Sequence, residues 1–293
     1  MMAIRPGTAK IGFIGTGVMG SSMAKHLLDG GYEVHIYTRT KARAHSLLEL
    51  GMVWHDTPGE VAAACDVIIT IVGYPSDVEA IYLGEEGIVQ SAKPGSYLID
   101  MTTSSPALAM RIHEAALSKG LYALDAPVSG GDIGARNAAL SIMIGGDKEA
   151  FEAVQPLLKL MGNNVVLQGG PGAGQHTKMV NQIAIASGMV GVCEALIYAK
   201  HAGLDLNNVL RSIESGAAGS WSLSNLAPRI IDGNFEPGFY VKHFIKDMGI
   251  ALEAAAEMGI DLPGLSLARS LYNRIAEAGL ADKGTHALYM AWD

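Results

Sequence analysis

The chain has 293 residues, 49% of them hydrophobic, and a formal net charge of −8. That length allows one large domain or two ordinary ones around a sizeable core, and the acidic balance argues against nucleic acid or an anionic membrane as the main partner while leaving room for a local basic pocket. Cys65 and Cys193 form no metal-ligand spacing and are too few for a disulfide framework, which points to no metal and to a reducing, cytoplasmic setting.

At the N-terminus, Met1–Thr8 has neither the apolar core of a signal peptide nor the Arg/Ser-rich pattern of a transit peptide. No uncharged apolar run approaches the ~18 residues of a membrane span, so a soluble protein with no membrane partner is expected. Short apolar runs, most of them rich in β-branched residues, predict strands at Lys10–Ile14, Glu33–Tyr37, Val67–Val72, Tyr97–Asp100, Tyr122–Asp125, Leu140–Ile144 and Val165–Leu167. Helical patterns at Ser22–Leu28, Lys41–Leu50 and Pro106–Lys119 alternate with them. Such alternation predicts an α/β fold, a mostly parallel, doubly wound sheet with helices on both faces.

The pattern changes after Gly169-Gly170-Pro171-Gly172. From Gln175 to His201 there is no proline, and Ala, Ile, Val and Met dominate. A helix of that span runs on the order of 40 Å and would close at Ala202-Gly203, glycine being the usual left-handed terminator. It is apolar on more than one face, which predicts burial between domains or subunits. Helical patterns follow at Asn207–Ser215, Ser222–Ile231, Lys246–Met258 and Leu265–Ala278. The expected organisation is an α/β dinucleotide-binding domain over residues 1–170 and an all-α substrate and oligomerisation domain over residues 171–293, the long helix joining them.

Gly15-Thr16-Gly17-Val18-Met19-Gly20 follows the first strand directly and opens a helix. In that context the first glycine makes the tight turn, the second lets backbone approach a pyrophosphate, and the third lets helix and strand pack. The helix N-terminus adds N–H donors and partial positive charge for phosphates. An NAD site places a carboxylate roughly 20 residues on, at the end of the second strand. Here that end reads Thr38-Arg39-Thr40-Lys41, without a carboxylate. Arg39 could pair with a 2′-phosphate, with Thr38 and Thr40 as hydroxyl donors, so NADP is expected over NAD; the competing reading is a solvated basic turn.

Three later segments carry chemistry. Asp125-Ala126-Pro127-Val128-Ser129-Gly130-Gly131-Asp132 ends a strand, with the Ser129 hydroxyl and two glycines whose N–H groups can approach a carboxylate. Lys178, Asn181 and Gln182 fall at i, i+3 and i+4 and share one helical face. A lysine on an otherwise apolar helix needs a partner or a task, and desolvation would bring its pKa toward the range of proton transfer. Phe239-Tyr240-Val241-Lys242-His243-Phe244-Ile245-Lys246-Asp247 sets cations and aromatics just before a predicted helix, an arrangement that is ambiguous by itself.

Together with Asp100-Met101-Thr102-Thr103, these motifs make the chain resemble the β-hydroxyacid dehydrogenase family, which includes 3-hydroxyisobutyrate dehydrogenase and tartronate semialdehyde reductase. The resemblance runs from Lys10 to the C-terminus and implies a Rossmann-type N-terminal domain. It implies Lys178 as general acid and base, Ser129, Gly130 and Gly131 as the carboxylate loop, and Asn181 or Gln182 as a substrate contact. Gln182 resembles the semialdehyde-reductase branch. Thr103 and Lys246 resemble cofactor contacts, Tyr74 and Pro75 border the nicotinamide in relatives, and Phe239 and Asp247 resemble residues that close the site.

The implied substrate is a small carboxylate-bearing aldehyde or hydroxy acid, and the implied assembly a homodimer or homotetramer. Succinic semialdehyde and glyoxylate reduction are alternatives within the family, and a non-catalytic dinucleotide-binding module is the alternative outside it. One departure from the family pattern is Ala138-Ala139, where a Gly-Thr pair is common; this is read as a packing change. Trp221 is read equally as a pocket or a core residue.

Overall fold

Nine strands form one sheet in the computed structural model, which describes residues 4–292. They are β1 (Lys10–Ile14), β2 (Glu33–Tyr37), β3 (Val53–Trp54), β4 (Val67–Thr70), β5 (Tyr97–Asp100), β6 (Tyr122–Asp125), β7 (Val128–Ser129), β8 (Leu140–Gly145) and β9 (Gly162–Gly169). Their order is β3-β2-β1-β4-β5-β6-β8-β7, with β9 paired to β8. From β3 to β6 all pairings are parallel, whereas β8 runs antiparallel to β6 and β7 and parallel to β9. Every residue of β4 and β5 is buried, as expected of parallel strands covered on both faces. The chain builds outward to one side of β1 through β2 and β3, then crosses to β4 on the other side. Open α/β sheets bind ligands at the carboxyl ends of the strands beside such a reversal.

The chain divides after Lys178 into two compact units. In the first, the strands differ from expectation where pairing replaces periodicity. β4 stops at Thr70 because Val72 leaves the ladder and donates its N–H to Thr102 Oγ1 at 3.0 Å. β3 and β7 are two-residue strands, too short for a pattern to mark. β9 extends beyond Val165–Leu167 at both ends along a largely exposed edge, so its polar residues concealed it. Lys41–Leu50 splits into a 3-10 turn at Lys41–Ala44 and a helix at His45–Glu49. Helices at Pro58–Ala64 and Pro75–Leu83 escaped the sequence reading although each has proline in its first turn.

In the second unit, four α-helices follow the long one among the described residues, Leu206–Ile213, Trp221–Ile231, Val241–Glu257 and Pro263–Ile275, with a π-helical segment at Ala276–Leu280 and a 3-10 segment at Thr285–Ala291. No strand occurs after Gly169 among the described residues. The core gathers Met189, Cys193 and Leu196 of the long helix with Phe244 and Tyr272, whose rings meet edge-on at 5.1 Å. The long helix, Ala173–His201, has the length and mean hydropathy (1.5) of a membrane span. Its uncharged runs are shorter than that, because Lys178 and Glu194 interrupt the apolar stretch without ending the helix. In the fold, its Ala186, Met189 and Cys193 are fully buried in that core. The helix expected from Lys246 begins instead at Val241, so Lys246 and Asp247 lie in its second turn rather than at its start.

Candidate active-site residues

The glycine turn is built by contact rather than by composition alone. Gly15 has φ +100°, and a β-carbon there would overlap the Ile71 carbonyl oxygen. A β-carbon on Gly20 would overlap the Gly15 carbonyl oxygen, so helix and turn close on each other at that point. Gly17 is different: it caps the helix Val18–Asp29 at φ −77°, and a β-carbon there would meet nothing within 4 Å. Thr16 is 2% exposed, yet its Oγ1 has no hydrogen-bond partner among the described residues. Open space over Gly17, an orphaned buried hydroxyl and the first N–H groups of a helix fit a pyrophosphate.

Gly15 N–H donates to the Tyr37 carbonyl at 2.9 Å, which joins the turn to the end of β2. Thr38 there is half-buried, while Arg39 and Thr40 are exposed. Arg39 has no hydrogen bond or ion pair among the described residues. Tyr74 is 40% exposed and caps the helix that starts at Pro75, its N–H reaching Asp77 Oδ2 at 3.1 Å.

At the carboxyl ends of β5 and β6, two buried carboxylates stand side by side, Asp100 in register with Asp125. Asp100 Oδ1 accepts from Thr70 Oγ1 (2.8 Å) and from the Thr102 N–H (3.1 Å). Burial pushes its carboxyl up to about 6 against the pull of those bonds. Asp125 accepts from the N–H groups of Gly172 and Gln175, both at 2.8 Å. Burial raises its carboxyl as well, opposed by those backbone donors. It is a cap for the long helix, where a negative charge also suits the helix dipole. Gln175, fully buried, adds a second tie: Oε1 accepts from Ser104 N–H (2.9 Å) and Nε2 donates to the Thr102 carbonyl (2.8 Å). These contacts hold the start of the helix against the loop after β5, which carries Thr103. The sequence reading assigned no role to Asp125 or Gln175; the signals available were an amide just inside the start of an apolar helix and, 50 residues before it, an aspartate at a strand end.

Lys178 is 6% exposed, and its Nζ donates to the Val128 carbonyl at 2.8 Å. The lysine expected on the helix is therefore tied to the residue before Ser129. Ser129 is half-buried, and Gly130 and Gly131 have φ +128° and +62°. Both values lie where glycine is favoured, so a β-carbon at either position would strain the loop. Asp132 and Arg136 pair with each other at 2.9 Å. Ala138 has φ +52°, the one positive value outside glycine among the described residues. The departure at Ala138-Ala139 therefore includes a left-handed backbone position that the sequence did not reveal.

In the second unit, Gln182 Nε2 donates to Asp247 Oδ2 at 2.6 Å, and Asn181 Nδ2 donates to Gln182 Oε1 at 2.8 Å. Lys246 Nζ lies 3.0 Å from Asp247 Oδ1, close enough for charge pairing though outside hydrogen-bond alignment. Phe239 is half-buried and meets Phe244 edge-on at 5.8 Å. Trp221 is 66% exposed at the start of its helix, so it is not a core residue. No cluster able to hold a metal occurs among the described residues.

Comparison with known proteins decides the class. Residues 10–170 match the model of the NAD binding domain of 6-phosphogluconate dehydrogenase. Residues 172–292 match that of the NAD-binding region of NADP-dependent 3-hydroxyisobutyrate dehydrogenase. The chain belongs to the β-hydroxyacid dehydrogenase family. It is an NAD(P)-dependent oxidoreductase with a Rossmann-type domain followed by a helical one. Within this family, it is 63% identical over 282 residues to the uncharacterized oxidoreductase YkwC of Bacillus subtilis, covering 96% of this chain and 98% of that one. It is 39% identical over 282 residues to 2-hydroxy-3-oxopropionate reductase of Escherichia coli, covering 96% of each. The solved 3-hydroxyisobutyrate dehydrogenase of Mycobacterium tuberculosis with L-serine superposes with a TM-score of 0.90 at 30% identity, covering 97% of this chain and 99% of that one.

Proposed function

We propose that this β-hydroxyacid dehydrogenase interconverts a 3-hydroxy acid of the 3-hydroxyisobutyrate or glycerate type and its semialdehyde, with Lys178 as general acid and base. The observation that carries the reading is the buried Lys178 ammonium held 2.8 Å from the Val128 carbonyl, next to the Ser129-Gly130-Gly131 loop. Ser129 Oγ and the N–H groups of Gly130 and Gly131 receive the substrate carboxylate. Lys178 Nζ gives its proton to the carbonyl oxygen as the aldehyde is reduced and takes the hydroxyl proton back in oxidation. Reduced nicotinamide, when bound, supplies the hydride. Asn181 contacts the substrate one helical turn beyond Lys178. Phe239, Lys246, Thr103, Tyr74 and Pro75 complete the proposed contacts.

Lys178→Ala is expected to lower kcat by 10²–10⁴-fold, the usual span for a positioned acid or base, with NADPH affinity retained. An Ala variant that keeps most of the wild-type kcat refutes the role. Turnover on a panel of 3-hydroxy acids, succinic semialdehyde and glyoxylate separates the substrates, and cofactor binding without turnover on any of them supports a binding module instead.

NADP is the proposed cofactor, supported by Arg39, which is exposed and has no hydrogen bond or ion pair among the described residues, at the end of β2 where no carboxylate stands. Arg39→Ala is expected to raise KM for NADPH about tenfold, about 1.4 kcal/mol, with KM for NADH little changed. Equal efficiency with NADH in the wild-type, unaffected by that substitution, refutes the preference. Homo-oligomerisation is proposed as well, supported by Val180 and Tyr198, 66% and 76% exposed on the apolar helix; light scattering that finds a monomer refutes it.

A further inference from the structure

We propose that Gln182 and Asp247 are positioning residues that fix which end of the Asn181 amide faces the ligand, so that Asn181 offers its oxygen to a substrate hydroxyl. The inference rests on the proposed role of Asn181 as a substrate contact. Asp247 is 1% exposed and Gln182 is 2% exposed, and their polar atoms engage each other. The chain of hydrogen bonds has a direction. A carboxylate only accepts, so the Gln182 atom 2.6 Å from Asp247 Oδ2 must be the Nε2 donor. The other end of that amide is Oε1, which can only accept, and it takes Asn181 Nδ2 at 2.8 Å.

With Nδ2 turned to Gln182, the atom that Asn181 turns away from the relay is Oδ1. A lone asparagine amide has ends of similar size and could present either one; the buried carboxylate two links away removes that freedom. Lys246 Nζ, 3.0 Å from Asp247 Oδ1, balances the charge that the relay buries. The ligand chemistry that fits an outward amide oxygen is a hydroxyl donor, as on a hydroxy acid. A methyl group in that place would leave Oδ1 without a partner.

Asp247→Asn tests the relay without removing a hydrogen bond. Its new amide can donate to Gln182 Oε1, after which both following amides reverse and Asn181 presents Nδ2. Adding Gln182→Glu returns an acceptor to Asn181 and restores the original direction. With glycerate and saturating NADP⁺, KM is expected to rise about tenfold in Asp247→Asn and to return to within about threefold of wild-type in Gln182→Glu/Asp247→Asn, the span of one well-placed hydrogen bond. Both variants are expected to keep a cooperative thermal transition, with a lower midpoint in Asp247→Asn, where Lys246 loses the charge it pairs with. In ligand-free protein, the ¹⁵N-resolved side-chain amide signal of Gln182 should lose its carboxylate-induced shift in Asp247→Asn.

An unchanged KM, a rise that the double variant does not reverse, or an unmoved Gln182 signal overturns the proposal. Should Asp247→Asn not fold, Gln182→Met carries the same expected rise in KM, and an unchanged value there overturns it too. Absence of wild-type turnover refutes the proposed function instead, and the amide signals then decide the relay by themselves.

Discussion

Gly17→Ala and Gly20→Ala add the same methyl group to one turn and should separate cofactor binding from folding. At Gly20 the new carbon overlaps the Gly15 carbonyl oxygen and stands 3.1 Å from Ile71 Cγ2, so the helix start must move away from β1. Backbone that cannot yield places the cost at or above the upper end of overpacking, about 3 kcal/mol, and lowers the thermal midpoint by roughly 6–12 °C at about 2–4 °C per kcal/mol. At Gly17 the backbone is already in a conformation open to alanine and the space is empty. The folding cost there is that of a poorer helix cap, about 0.5 kcal/mol. The methyl instead stands where a pyrophosphate must approach the helix, and NADPH affinity should fall at least about tenfold, or about 1.4 kcal/mol. Scanning fluorimetry and NADPH fluorescence titration on both variants measure the two effects. Wild-type NADPH affinity in Gly17→Ala, or a wild-type midpoint in Gly20→Ala, refutes the reasoning.

Asp100 links stability to pH. Its folded pKa, about 6, lies above the ordinary 3.8, so the fold favours the protonated form. That contribution is fully present below about pH 4 and is lost as pH rises through 6, up to about 3 kcal/mol at ~1.36 kcal/mol per pH unit. Urea midpoints at pH 4.5 and 7.5 should therefore converge in Asp100→Asn relative to wild-type, and an identical pH dependence in both proteins argues against the assignment. Ala138 carries a left-handed conformation at φ +52°, so Ala138→Gly is expected to stabilise the protein by about 0.5–1 kcal/mol. A lower urea midpoint in that variant contradicts the strain.

Much of this protein was legible in its sequence because local patterns set the outcome. The strands β1, β2 and β5 follow from apolar runs containing β-branched residues, and β6 from a short apolar run that stops at Asp125, while the alternation of strand and helix specifies the α/β class whatever the side-chain contacts. Glycine at 15 and 20 could be recognised since those positions tolerate nothing larger. Lys178 stood out because an ammonium on an apolar helix has few reasons to be there. The tertiary structure decided what depends on partners remote in the chain. Asp125 becomes a helix cap only when Gly172 and Gln175 fold onto β6, and Gln175 becomes a tie only when the loop after β5 reaches it. β3, β7 and the ends of β9 owe their strand character to neighbours, since two residues or a polar edge carry no period of their own. The direction of the Asn181 amide is set by a carboxylate far along the sequence at position 247, because hydrogen-bond polarity belongs to a network and not to any residue within it.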